Sequence, residues 1–264
     1  MSRKKKKRTA GDVIRYIIMA AALCVFVFSA VQLAGIFLEY REGTEEYDRI
    51  REYVEQPVEQ EEEDQALKGE ATQSETPQAP SVDWAALQAI NSDLIGWLQI
   101  EGTEISYPIV KGTDNAYYLK HTFEKTTNAA GAIFIEFTNS SDFQDCNTII
   151  YGHNMKNGSM FGQLRKYFQS QEAIPGKYIW VCTPQKNYRY EIFSSHVVDA
   201  AGETYTLFSA HDEAFGKYLE NMKSQSLVDF NVGVSQEDKI ITLSTCTGND
   251  ATRFVVQARM EGAY

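Results

Sequence analysis

Ile240–Arg253 reads IITLSTCTGNDATR, and the rest of the chain is organised around it. Ile240, Ile241 and Leu243 give the stretch strand character. Cys246 follows at the strand's end, and Gly248-Asn249-Asp250 marks a turn. Arg253 then opens a second apolar run, Phe254-Val255-Val256. A thiol beside a strand-to-strand loop is well placed to meet a substrate. After the turn the arginine returns toward the thiol. A guanidinium is always charged and holds its donors in one plane, so it suits a thiolate and a carbonyl oxygen alike. Taken alone, a cysteine in an apolar strand is more often a buried core residue.

The histidines change that balance. His153 ends Ile149-Ile150-Tyr151-Gly152-His153, a second short β-type run that closes on a glycine turn. The other three lack this setting. His121 follows a Tyr/Leu stretch, His196 falls within a strand, and His211 stands where a helix begins. Two strands thus each deliver a reactive side chain at a loop junction. Exchanging one peptide bond for another proceeds well through a thioester, for which cysteine is the better nucleophile. An imidazole can protonate the departing amine and then deprotonate the incoming one. Fixed donors must hold the tetrahedral oxyanion. Cys246, His153 and Arg253 fill these three roles.

Thr242-Leu243-Ser244-Thr245-Cys246 matches the TLxTC signature of sortases, with Arg253 as the downstream arginine. Tyr151-Gly152-His153-Asn154-Met155 resembles the histidine motif of the class B members. Asn91–Trp97, Tyr107–Val110, Asp114–Leu119 and Met160–Gly162 resemble further pieces of that class, in the same order. The resemblance runs from about Val82 to the C-terminus. It implies a cysteine transpeptidase (a thiol protease and hydrolase by class) of the Gram-positive cell surface. Such an enzyme cuts the C-terminal sorting signal of surface proteins after Thr and passes the acyl group to a peptidoglycan cross-bridge amine. It implies no metal or organic cofactor. It also places Asn115, Leu119, Tyr151 and Ser244 along the peptide groove, with Thr245 and Ser244 flanking the thiol. One departure is visible: Thr247 and Gly248 stand where some relatives carry an acidic residue after the cysteine. Other readings fit less well. Papain-like and NlpC-like peptidases place Cys before His, L,D-transpeptidases place Arg directly after Cys, and a wall-peptide binder has no need of the full Cys/His/Arg set. Pilin polymerisation is the alternative to wall anchoring.

Charge and hydropathy locate the protein. Residues 1–15 carry seven basic side chains against Asp12. Tyr16–Leu38 is a 23-residue uncharged run, long enough to cross a hydrocarbon core of about 30 Å. A cleaved signal peptide would have a shorter apolar region. Basic residues before the span and acidic ones after it put the N-terminus in the cytoplasm and the catalytic domain outside, on a single-pass membrane anchor. The net charge of −11 argues against nucleic acid as a partner. Residues 41–80 hold thirteen acidic and four basic side chains and three prolines, a composition that cannot bury enough surface to offset its ordering entropy. The part up to about Val54 reads as a continuing helix. The four cysteines show no paired spacing, so neither a disulfide framework nor a zinc site is indicated. The expected organisation is a basic tail (1–15), a transmembrane anchor (16–38), an acidic, largely disordered stalk (39–80) and a catalytic domain (81–264).

Within the last segment the pattern is many short strands and few helices, hence a mainly β barrel. The resemblance sharpens this to eight strands, with helices at the N-terminus and one between strands six and seven. Ala210–Ser224 fits that last helix: Phe215, Tyr218, Leu219 and Met222 form an apolar stripe, with Ser209 as the expected cap.

Overall fold

The structure, a computed structural model, describes residues 10–55 and 77–264. The basic run Arg3–Arg8 and half of the expected stalk, residues 56–76, lie outside the described residues. The chain divides into two units, residues 1–42 and 43–264.

In the first unit, helix α1 (Ala10–Arg51) begins and carries the apolar run. Its side chains face outward: Ile17, Phe26, Leu33 and Phe37 are each more than 60 % exposed. A helix apolar on every face and left uncovered by the described residues is suited to a lipid environment. Among the described residues it is the one helix long and apolar enough to cross a membrane.

The second unit starts within the last turns of α1. Tyr47, Ile50 and Val54 recur at helical spacing and are buried. Residues 43–55, expected in the stalk, therefore belong to the same unit as the barrel, because burying this stripe outweighs the polar composition around it. A two-residue ladder, β1 (Val54–Glu55) with β2 (Ser81–Val82), rejoins the chain on the far side of residues 56–76. Helix α2 (Trp84–Ile90) follows, capped by Asp83, whose carboxylate accepts the Ala86 N–H.

Eight strands then close a barrel: β3 (Leu94–Ile100), β4 (Ser106–Val110), β5 (Ile133–Ile135), β6 (Asn147–Tyr151), β7 (Tyr178–Cys182), β8 (Asn187–Asp199), β9 (Ile240–Cys246) and β10 (Thr252–Ala263). Their order around the barrel is β10-β8-β7-β3-β4-β5-β6-β9. Two pairs are parallel, β4 with β5 and β6 with β9. The β6–β9 pairing joins segments far apart in sequence and positions the site. Helix α3 (Leu164–Phe168) lies between β6 and β7, and α4 (Glu213–Ser224) between β8 and β9, the sixth and seventh barrel strands. The α4 stripe of Phe215, Tyr218, Leu219 and Met222 packs with Phe193, Val232 and Ile240. Its cap is Asp212 rather than Ser209: the Asp212 carboxylate accepts the Phe215 N–H at 3.0 Å. His211 is held outside the helix by a bond to the Gln236 carbonyl.

Candidate active site

Three adjacent strands meet at one rim of the barrel, with β9 between β6 and β10. On one side, Tyr151 of β6 stands opposite Ser244 of β9 in parallel register. On the other, Arg253 of β10 stands directly opposite Cys246. Directly opposite residues share a face, so guanidinium and thiol project together. Two residues beyond the Tyr151–Ser244 pair, His153 comes level with Cys246, because parallel strands advance at the same rate. The continuation is pinned by the Gly152 N–H on the Ser244 carbonyl at 3.1 Å and by Asn154 Nδ2 on the Cys246 carbonyl at 2.8 Å. Gly152 is required there: a Cβ would lie 2.5 Å from Ile133 Cδ1 and 2.6 Å from Phe161 Cδ2.

The imidazole orientation follows from one contact. His153 Nε2 lies 2.7 Å from the Leu119 carbonyl oxygen. A carbonyl only accepts, so Nε2 carries the proton, and Nδ1 of the neutral ring is the nitrogen able to take one up. Arg253 is tied to its own turn: Nη1 donates to the carbonyls of Asp250 and Thr252, both at 2.9 Å. Among the described residues its other guanidinium nitrogens make no hydrogen bond. Asp250 meets Arg253 through its carbonyl, not its carboxylate.

Beside these residues lies a polar cluster. Glu136, just past β5, accepts from Asn115 Nδ2 at 2.5 Å and from the Tyr151 hydroxyl at 3.0 Å. Asn115 Oδ1 accepts the Phe137 N–H, fixing the amide's orientation. The hydroxyls of Tyr205 and Ser244 are 2.7 Å apart, and the Tyr205 and Tyr151 rings stack at 6.4 Å. Burial pushes the Tyr151 phenol up, and the Glu136 carboxylate beside it adds to the rise. Tyr205 is raised chiefly by burial, opposed by its bond to Ser244 and by the Arg253 charge. Buried Asn147 donates to the carbonyls of Thr204 and Thr206 and accepts from Thr242, so the loop bearing Tyr205 is held against β6 and β9.

Of the groove residues the resemblance implied, Asn115, Tyr151 and Ser244 are brought together. Leu119 reaches the site through its carbonyl, its side chain being 41 % exposed. Thr245 is not brought there: it is 3 % exposed and, by strand alternation, points to the opposite face of β9 from Cys246. Glu136 and Tyr205 were missed in the sequence. A signal for Glu136 existed, since a lone carboxylate ends the apolar run Ile133-Phe134-Ile135 as Cys246 ends its own. For Tyr205, in the connection after β8, there was none.

The sortase domain family model matches residues 98–261. Sortase B of Listeria monocytogenes is 41 % identical over 179 residues, 66 % of this chain and 72 % of that protein. Sortase B of Staphylococcus aureus is 26 % identical over 247 residues, 92 % of this chain and 94 % of that protein. The crystal structure of sortase B from Bacillus anthracis in complex with AAEK1 is 32 % identical. It superposes with a TM-score of 0.68 over 85 % of this chain and 99 % of that one. The closed eight-stranded barrel agrees with these likenesses, and the chain belongs to the sortase family, in its class B.

Proposed function

We propose that Cys246, His153 and Arg253 carry a cysteine transpeptidation that cuts a sorting signal after Thr and transfers the acyl group to a peptidoglycan amine. The observation that supports this reading is the register of β9 and β10, which pairs Arg253 with Cys246, together with the bonds that run the β6 continuation through His153 alongside β9. Cys246 Sγ attacks the Thr carbonyl carbon while its proton passes to His153 Nδ1. The oxyanion is held by the Arg253 donors. His153 returns the proton to the departing amine, the C–N bond breaks, and a thioester remains. The incoming amine attacks that thioester, its proton goes to His153, and Cys246 leaves and recovers its proton. Asn115, Tyr151 and Ser244, braced by Glu136 and Tyr205, line the path of the peptide. The long apolar helix anchors the enzyme with its N-terminus cytoplasmic, so the barrel faces the wall.

The other cysteines are poor nucleophiles. Burial raises the Cys146 thiol and pushes Cys182 up to about 12. Cys24 lies in the apolar run. The test uses an Asn- or Ser-Pro-x-Thr peptide and an oligoglycine amine, with mass spectrometry of the protein. Cys246→Ala loses both product and the acyl adduct, whereas Cys146→Ala and Cys182→Ala keep them. Transpeptidation by Cys246→Ala would overturn the mechanism. Peptide binding with neither adduct nor cleavage would point to a peptide-binding role.

A further inference from the structure

We infer that Tyr47, near the end of α1, is a positioning residue for His153, an inference that rests on reading His153 as the proton carrier. Tyr47 is 2 % exposed. Its hydroxyl donates to the Gly131 carbonyl at 2.7 Å and accepts the Phe123 N–H at 3.2 Å. One oxygen therefore ties together both ends of the loop from Phe123 to Gly131.

Gly131 is the point where that loop meets the imidazole. Its φ is +56°, and a Cβ built on it would lie 2.9 Å from His153 Cδ2, 2.6 Å from the Tyr118 oxygen and 3.1 Å from the Leu119 oxygen. Bare backbone thus abuts the ring edge and the carbonyl that accepts its Nε2–H. A shift of Gly131 moves both. A second route reaches the backbone of His153. The Tyr47 ring meets Tyr107 edge-on at 5.3 Å, and the Tyr107 hydroxyl accepts the Met160 N–H at 2.9 Å. The next N–H, of Phe161, donates to the His153 carbonyl at 3.0 Å. Ring and backbone of His153 are both seated on groups that Tyr47 holds.

The consequence is specific. Without the hydroxyl, the Gly131 and Phe123 groups lose their shared partner, and Gly131 is held less tightly against the imidazole edge and the Leu119 carbonyl. The Nε2–H bond to that carbonyl then weakens, the two neutral tautomers mix, and Nδ1 is the basic nitrogen only part of the time. Peptide binding depends on the separate cluster around Glu136 and is little changed.

The experiment uses the full chain in detergent, comparing Tyr47→Phe with Ile50→Val. Ile50 is a buried neighbour on the same helix that makes no side-chain hydrogen bond. Thermal midpoint, kcat and KM for the sorting peptide, and the ring ¹⁵N shifts of His153, identified against His153→Gln, are measured for each. Tyr47→Phe is expected to lower kcat about tenfold with KM within about twofold, and to shift the His153 ring nitrogens toward mixed tautomers. Ile50→Val lowers the thermal midpoint and moves neither readout. Wild-type kcat and ¹⁵N shifts in Tyr47→Phe overturn the inference, as does an equal change in Ile50→Val. If His153→Gln itself retains turnover, the reading of His153 falls and this inference with it. An inactive His153→Gln beside a silent Tyr47→Phe removes Tyr47 alone.

Discussion

At the scale of one residue, the proposed role of Arg253 rests on geometry as well as charge. Its Nη1 is spent on the carbonyls of its own turn, which holds the planar fork still opposite Cys246. Lysine keeps the charge but has no fork, so it cannot be anchored and reach an oxyanion together. Arg253→Lys is expected to lose nearly as much turnover as Arg253→Ala, on the order of 10²–10³, the usual cost of one oxyanion donor. Steady-state turnover of both variants checks this. Near-wild-type turnover in the lysine variant would show that only positive potential is needed, and near-wild-type turnover in the alanine variant would remove Arg253 from the chemistry.

At the scale of the element, the contact between β8 and α4 contains a titratable group the chemistry does not use. His196 is 1 % exposed, with Nδ1 2.9 Å from Ser194 Oγ. Ser194 donates in turn to the Met222 carbonyl of α4, so it accepts from His196 and Nδ1 bears the ring proton. Nε2 has no partner among the described residues. A neutral ring tolerates that, but a charged one would be an unpaired buried cation, and burial lowers the pKa to about 4. The folded pKa lies below the unfolded value of about 6.5, so between them the unfolded chain binds a proton that the folded chain refuses. The contribution is fully present above pH 6.5 and is lost as pH falls toward 4, by up to about 3 kcal/mol. His196→Asn, which keeps a donor for Ser194 but does not titrate, is expected to flatten this part of the stability profile. Urea midpoints at pH 7 and pH 4.5 measure it, and an unchanged pH dependence in the variant would contradict the assignment.

For the whole molecule, the question is where the catalytic unit starts. Tyr47, Ile50 and Val54 are buried, and full burial of an apolar side chain is worth about 1.5–3 kcal/mol. A chain beginning at Gly43 retains all three and the Val54–Val82 pairing, whereas one beginning at Ser81 loses them. The shorter chain is expected to unfold at a clearly lower temperature and to turn over more slowly. Equal thermal midpoints for the two chains would show that the end of α1 adds nothing to the barrel.

What the sequence determined by itself was local. Strand periodicity, the glycine turns and the Cys246-to-Arg253 interval all lie within a few residues, and local pattern encodes them. A mainly β fold, the segments that carry Cys246, His153 and Arg253 as strand-end residues, and the apolar span were therefore legible. The period of two also separates Thr245 from Cys246, so that residue's burial was readable in principle. What the tertiary structure alone decided was which distant segments meet. The parallel β6–β9 register brings His153 level with Cys246, barrel closure collects Asn115, Tyr151 and Glu136, and Asn147 draws Tyr205 to Ser244. Tyr47 reaches Gly131 across 84 residues of chain. Such contacts depend on how strands pair around a closed sheet, where a shift of one residue turns every side chain to the other face. No local pattern carries that choice, because it is made by the burial of the whole core at once.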